Sequence, residues 1–164
     1  CNGGQVGTPW SWFQRQGVVT GGDYGDEELC FDYTMPQCAH HVDVEGLTPC
    51  EDIPKVAPKC KAECQTNPLI NYADDKVKGA SSYAVRKVEH IKQEIMEHGP
   101  VTGAFTVYED FLTYAEGIYQ HTSGKSLGGH AIKVIGWGVE DDVDYWLCVN
   151  SWNETWGDPD NKLL

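Results

Sequence analysis

A histidine and an asparagine near the C-terminal end of the chain could together serve nucleophilic catalysis. The side-chain carbonyl of Asn150 could accept the proton of one imidazole nitrogen of His130, which would fix the ring tautomer and direct the other nitrogen at a nucleophile. A cysteine thiolate paired with such an imidazolium has a pKa lowered to roughly 3–4 in the best-known case. The same two residues could equally be structural side chains, so their spacing alone leaves both interpretations open.

Two predicted strands could bring this pair together. Residues 130–137 and 145–150 have strand-like composition, and the acidic turn between them centres near Glu140. In an antiparallel hairpin the numbers of paired residues add up to a constant, here about 280, which places residue 130 opposite residue 150. A β-bulge would shift this register by one residue.

The other regular elements follow from glycine positions and periodicity. One short helix is predicted to end at Gly17 and a second at Gly99, because glycine commonly follows the last helical turn. Alternating apolar residues predict a half-buried strand over 101–107, and one or two helical turns are predicted over 109–114. The second helix depends on apolar residues at helical spacing, which are Val88, Ile91 and Ile95.

Seven cysteines indicate a secreted or lumenal protein whose irregular segment is braced by disulfides. Five of them lie within residues 20–71, a segment with five prolines and little periodicity. Zinc is the alternative, since Cys60 and Cys64 have a tolerable ligand spacing, but no second Cys/His pair follows at finger spacing. Disulfides are therefore favoured. Because seven is odd, at least one cysteine lacks a partner within the chain.

The net charge of -13 argues against nucleic-acid and membrane binding, because an acidic surface repels phosphate backbones and anionic lipids. No apolar run approaches the ~20 residues of a membrane span. The acidic run at residues 141–144 lacks the spacing and turn glycine of a calcium loop, so no metal or other cofactor is predicted. The start at Cys1, without a signal peptide or initiator Met, predicts a processed product or a fragment.

Four motifs carry a family resemblance. In chain order they are Cys1-Asn2-Gly3-Gly4, the His40-His41 pair between Cys38 and Cys50, Gly128-Gly129-His130-Ala131-Ile132, and Asn150-Ser151-Trp152. Together they resemble the papain-like cysteine peptidases, and the paired histidines resemble the occluding loop of the cathepsin B type. The resemblance implies an α+β papain-like fold, mostly the β-barrel-like domain with a piece of the helical domain. Residues 1–164 would be a partial peptidase domain, with an occluding-loop-like insertion at 38–50.

The resemblance also implies a role for each matching residue. His130 would be the acid/base partner and Asn150 would orient it. The substrate-binding residues would be Gly3, Gly4, His40, His41, Gly129, Ala131 and Trp152. The disulfides would be Cys30–Cys64 and Cys38–Cys50, the partners of Cys1 and Cys60 would lie upstream, and Cys148 would be a buried free thiol.

The implied activity is cysteine-type peptide hydrolysis, combining endopeptidase and peptidyl-dipeptidase action in a lysosomal or secreted enzyme. The expected partners are peptide or protein substrates, protein inhibitors of cysteine peptidases, and the missing N-terminal part with the catalytic cysteine. Without that part the chain is expected to be inactive. The alternative is a non-catalytic secreted peptidase-like binding protein.

The chain also departs from the family pattern at three places. No Lys or Arg lies between Cys38 and Cys50, where relatives often hold a basic latch, and Thr155 stands where its acidic partner often sits. The sequon at 153–155 is not expected to carry a glycan, because it adjoins Trp152. Beyond Asp158 the match fades, so the strands that complete the β-domain are not expected.

Overall fold

The computed structural model describes residues 3–158 and 162–163, the last two by their backbone alone. The chain divides into two units, of which the first comprises Cys1–Gln37 and Glu51–Ala84 and the second comprises Cys38–Cys50 and Val85–Leu164. Cys1 lies outside the described residues, so its pairing with an upstream cysteine stays a prediction. No helix among the described residues is both long and apolar enough to cross a membrane.

From residue 3 onward, the described part of the first unit contains one helix and a largely irregular segment. Helix α1 spans Gly7–Arg15 and is followed by Gly17 at φ +80°, as the glycine position predicts. A side chain at Gly17 would also collide with a neighbouring carbonyl oxygen, which lies 2.9 Å from an ideal Cβ. The two short strands β1, Gly21–Gly22, and β2, Phe31–Asp32, pair in parallel. The predicted Cys30–Cys64 disulfide braces this unit.

The second unit, as far as the structure describes it, contains an α-helix, a 3₁₀ helix and an antiparallel sheet. Its elements are α2 at Val88–His98, β3 at Val101–Tyr108, a 3₁₀ helix at Glu109–Thr113, β4 at Ser126–Glu140, β5 at Val143–Val149 and β6 at Lys162–Leu163. The strand order is β3-β4-β5-β6, with all neighbours antiparallel. Helices and antiparallel strands together agree with the predicted α+β class. The two-residue strand β6, which the sequence did not predict, pairs with β5.

The hairpin between β4 and β5 turns at Asp141 and Asp142, with Glu140 paired to Val143. Both aspartates have positive φ, 51° and 62°, as the two central residues of a type I′ turn require. Aspartate tolerates this left-handed backbone better than most residues. The turn therefore lies slightly beyond its predicted centre at Glu140.

The register of this hairpin changes at Ile135. On the turn side Gly136 pairs with Leu147, and on the far side Val134 pairs with Cys148, so β4 has one residue more than β5. Such a bulge shifts the register by one residue and changes which side chains share a face.

The predicted pairing of residues 130 and 150 is wrong in detail. The last pair of the ladder is Lys133 with Val149, so its continuation would place Asn150 opposite Ile132. Asn150 and His130 are therefore diagonal neighbours on one face, within reach of long side chains.

The core of the second unit lies on the His130 face of the sheet and is rich in aromatic rings. Its buried residues are Val107, Phe111, Val134, Cys148 and Trp156. Phe111 is 1% exposed, and its ring centroid lies 4.9 Å from that of Trp156 and 5.5 Å from that of Trp152. The indole N–H of Trp156 donates to the carbonyl of Leu112 over 3.0 Å. The aromatic core thus packs the 3₁₀ helix against the segment after β5.

Candidate active site

The side chains of His130 and Asn150 meet as predicted. The Nε2 atom of His130 lies 2.8 Å from Oδ1 of Asn150, and the backbone N–H of Ser151 donates to the same oxygen over 2.8 Å. Because a backbone N–H can only donate, this second bond fixes which atom of the amide is the oxygen. Nε2 must then carry the proton in the neutral ring, and Nδ1 is left as the basic nitrogen.

Aromatic rings hold the imidazole of His130 in place. Its centroid lies 5.1 Å from that of Trp152 and 5.9 Å, nearly edge-on, from that of Phe105, the residue paired with it on β3. Within the described part of the chain, Nδ1 of His130 has no hydrogen-bond partner, and the buried Nδ2 of Asn150 has none either. The arrangement leaves one acceptor nitrogen ready for a proton-transfer partner.

The indole of Trp152 also contacts both predicted loop histidines. The ring of His40 stacks on it at 6.0 Å with an interplanar angle of 11°, and the ring of His41 meets it edge-on at 4.8 Å. Trp152 is therefore in ring contact with the imidazole of His130 and with both imidazoles of the loop.

The segment Cys38–Cys50, called the loop below, is closed at its base. The predicted Cys38–Cys50 disulfide is present, and Ala39 exchanges backbone hydrogen bonds of 2.9 and 3.1 Å with Thr48 and Cys50. Ala39 is buried, whereas His41 is exposed and has φ +58°. The loop is therefore held together at its ends, and the two histidines lie between these ends.

Asn153 joins the loop to the segment after β5, a contact that the sequence analysis did not predict. Its Nδ2 donates to the carbonyl of Cys38, and its Oδ1 accepts bonds from the backbone N–H, at 2.8 Å, and the hydroxyl of Thr155. Asn-x-Thr is the pattern of a glycosylation sequon. An asparagine followed two residues later by a hydroxyl residue is also typical of a side-chain-capped turn, which could have indicated this role.

The remaining predicted substrate-binding residues lie in different places. Ala131 lines a shallow cavity of about 320 Å³ that also reaches Asn150 and Ser151. Gly129 is exposed, and an added Cβ would meet open space. Gly3 and Gly4 belong to the first unit, where both are exposed with nothing near an added Cβ. All four offer backbone that another chain could approach closely.

Among the described residues, the free thiols are those of Cys60 and Cys148. Cys148 is 1% exposed, as predicted for a buried free thiol, and this burial raises its pKa to about 12. A thiolate is therefore strongly disfavoured at Cys148, which makes it a poor nucleophile. Cys60 is exposed and belongs to the first unit.

Among the residues that the structure describes, two groups of side chains have the spacing of metal ligands, but both are built around disulfides. They are Cys38 with His40 and Cys50, and Cys30 with Cys64 and Asp75. In each group the two cysteine sulfurs are bonded to one another, so neither offers a thiolate to an ion. This is the physical reason to prefer disulfides to zinc at these positions.

A carboxylate organises the segment that leads into β4. Asp110 accepts hydrogen bonds from the hydroxyl of Tyr119 at 2.6 Å, the backbone N–H of Thr122 at 2.7 Å and that of Ser123 at 3.0 Å. The Nδ1 atom of His121 lies 3.1 Å from the same carboxylate. Partial burial alone would raise the pKa of Asp110, but the hydrogen bonds outweigh it and hold that pKa well below its usual range.

Known proteins resemble this chain over nearly its whole length. A sequence profile described as papain family cysteine protease matches residues 1–160. The chain is 44% identical over 160 residues to cathepsin B-like cysteine proteinase 6 of Caenorhabditis elegans. The matched region covers 96% of this chain and 42% of that protein. It is 46% identical over 160 residues to a cathepsin B-like cysteine proteinase of Schistosoma japonicum, covering 96% and 46% respectively.

Solved structures give the same result for the fold. The structure of procathepsin B S9 from Trypanosoma congolense matches with a TM-score of 0.67 at 29% sequence identity, over 94% of this chain and 44% of that one. The chain therefore spans less than half the length of these relatives.

Proposed function

The chain belongs to the papain family of cysteine proteases, and we propose that its protein hydrolyses peptide bonds with His130 as acid/base and Asn150 as its orienting partner. A cysteine thiolate would add to the peptide carbonyl carbon. The imidazolium of His130 would then give its proton to the leaving amine, which leaves a thioester. Water, losing a proton to His130, would cleave this thioester and restore the thiol.

The hydrogen bond of 2.8 Å between Nε2 of His130 and Oδ1 of Asn150 is the observation that carries this proposal. It holds the ring in the tautomer whose Nδ1 can take a proton from a thiol. A neutral amide orients the ring without adding a negative charge beside it. The indole of Trp152 shields one side of the pair from water, which strengthens the electrostatic part of the interaction.

We place the nucleophile outside the residues of this chain. Burial and a raised pKa argue against Cys148, and the family resemblance assigns the nucleophile to an upstream cysteine. Because the chain spans less than half of its relatives, the activity belongs to the longer protein. The chain alone is expected not to hydrolyse peptides.

The loop would give this protease a second activity, the release of dipeptides from free C-termini. His40 and His41 could donate hydrogen bonds to a substrate carboxylate, more strongly when protonated. The loop holds no Lys or Arg, but it does hold Asp43 and Glu45, so its positive charge can come only from these two imidazoles. Backbone groups at Gly129, together with Ala131, would line the path of an extended substrate.

The compartment proposed is the lysosome or the extracellular space. Two disulfides favour an oxidising route of synthesis. Protein inhibitors of cysteine peptidases would then be expected partners, because they would compete with the substrate.

A matched pair of variants tests the proposal in the full-length protein. We expect His130→Ala to lower kcat/KM on a dipeptide fluorogenic substrate by at least roughly 10²-fold, and His90→Ala, exposed on α2, to leave it unchanged. Iodoacetate should alkylate one cysteine outside residues 1–164, and more slowly in the His130 variant. A full-length protein that binds peptides without turnover, and has no such thiol, would instead be a non-catalytic binding protein.

A further inference from the structure

We propose that Asn153 is a positioning residue that holds the loop against Trp152 and thereby favours dipeptide release over internal cleavage. The proposal rests on the function proposed above. It extends that function to a residue outside the His130–Asn150 pair and outside the predicted substrate-binding residues.

The orientation of the Asn153 side-chain amide is fixed by the hydrogen bonds that its oxygen accepts. Two donors of Thr155, the backbone N–H and the hydroxyl, converge on Oδ1. A backbone N–H cannot accept, so the amide cannot be flipped, and Nδ2 must face the carbonyl of Cys38. The Nδ2 donor is thus oriented by Thr155 independently of the loop, which lowers the entropic cost of its hydrogen bond to Cys38.

The position of Asn153 in the chain makes it an effective anchor. It has φ +61° and directly follows Trp152, the residue whose indole contacts both loop histidines. Cys38 at the base of the loop is therefore hydrogen-bonded to Asn153, and the loop histidines contact the preceding residue, Trp152. Cys38 is bonded to Cys50, so a single contact at Cys38 restrains both ends of the loop.

The contact between Asn153 and the loop is neutral, and no basic side chain of the loop could replace it with an ion pair. Between Cys38 and Cys50 there is no Lys or Arg to form an ion pair with the body of the protein, and Thr155 carries no charge. Salt screens ion pairs between exposed charges but affects a partly buried neutral hydrogen bond little. Closure of this loop should accordingly persist at high ionic strength.

The side-chain nitrogen Nδ2 of Asn153 is also the atom that would carry a glycan at the sequon of residues 153–155. A glycan on Nδ2 of Asn153 would occupy the space between this amide and the carbonyl of Cys38. The contact and the modification therefore compete, and the contact predicts an unmodified Asn153 in the folded protein.

The sharpest variant is Asn153→Asp, which keeps the size and the oxygen that Thr155 contacts but turns the donor into an acceptor facing Cys38. Asn67→Asp is the matched control. Asn67 has the same arrangement elsewhere, since its Oδ1 accepts from the N–H of Leu69 and its Nδ2 donates to the carbonyl of Glu28 over 3.0 Å. Both variants thus remove one donor from an oriented amide, but only the first touches the loop.

Hydrogen exchange and two activity assays on the full-length protein give the test. In Asn153→Asp we expect amide exchange within residues 38–50 to quicken on the order of tenfold, and the ratio of dipeptide release to internal cleavage to fall several-fold. Thr155→Val should show a smaller change, and Thr155→Ser should restore wild-type behaviour. Asn67→Asp should alter neither quantity.

Several outcomes would overturn the proposal. Wild-type exchange and an unchanged ratio in Asn153→Asp would do so, as would an equal effect of Asn67→Asp, or a glycan found on Asn153 by peptide mass. A wild-type protein without turnover would refute the proposed function instead. The exchange measurement would still decide whether Asn153 holds the loop.

Discussion

His130 and Asn150 lie on the same face of the sheet because β4 carries one more residue than β5. If the register set at the turn ran on unchanged, Asn150 would fall opposite Lys133, whose side chain points to the other face. The bulge at Ile135 moves Asn150 opposite Ile132 instead, on the face of His130. Bulges beside active sites commonly re-aim a side chain in this way.

The first prediction concerns the orienting role of Asn150. In the full-length protein, Asn150→Ala should lower kcat by roughly 10- to 100-fold with little change in KM, because the variant loses ring orientation rather than substrate contacts. Steady-state kinetics on a peptide substrate measure this split. Asn67→Ala, which removes an oriented amide far along the chain, is the control. An unchanged kcat for Asn150→Ala would show that Trp152 and Phe105 suffice to hold the ring.

The second prediction concerns the indole of Trp152, which contacts three imidazoles. Trp152→Phe should keep most of the activity, since a smaller ring can still cover His130, whereas Trp152→Ala should reduce dipeptide release more than internal cleavage. Its thermal unfolding midpoint should also fall by several degrees, because a half-buried ring is lost from an aromatic cluster. Trp12→Ala, at an exposed position of α1, serves as the control. Equal losses in both assays would argue against a special role in holding the loop.

The sequence predicted those features that depend on local patterns. The helix over Val88–His98 and the strand over Val101–Tyr108 follow from apolar spacing and from the glycine after the helix, and both are confirmed. The papain-like α+β fold is confirmed by the similarity to procathepsin B S9. The face shared by His130 and Asn150 was also found, because a register error of two residues preserves the face.

The features that the sequence did not reveal depend on contacts between distant segments. Asn153 reaches Cys38 over 115 positions, and Asp110 collects its donors from a segment after the 3₁₀ helix. Local composition carries no signal for either partner. The bulge at Ile135 was missed for a related reason, since a hairpin with and without one extra residue has the same apolar pattern near its turn.

The third prediction concerns the thiol of Cys148. Its burial and raised pKa imply that iodoacetamide at pH 8 should leave it unlabelled in the native protein and label it fully in urea, as read by peptide mass. Cys148→Ala should retain peptidase activity. Cys148→Ser should cost about 1–3 kcal/mol of stability, because a hydroxyl would be buried without a hydrogen-bond partner. Rapid native labelling, or loss of activity in Cys148→Ala, would reopen Cys148 as a candidate nucleophile.

The fourth prediction concerns the carboxylate of Asp110, whose lowered pKa links stability to pH. A carboxyl group with a lower pKa in the folded state stabilises the fold at pH values above its ordinary pKa of 3.8, and this contribution is lost as the pH falls towards the folded-state pKa. Asp110→Asn should therefore lower the unfolding midpoint by a similar amount at pH 7 and pH 5. The difference from wild type should shrink only below about pH 4.

Thermal unfolding at several pH values, followed by circular dichroism, measures this difference. Asp74→Asn, at an exposed aspartate of the first unit, is the control and should show little effect at any pH. A constant difference down to pH 2 would mean that the shape of the side chain, rather than its charge, holds the segment before β4. Because that segment leads into the strand of His130, a loss of activity in Asp110→Asn should track the fraction unfolded. Activity lost from a fully folded variant would contradict a purely structural role.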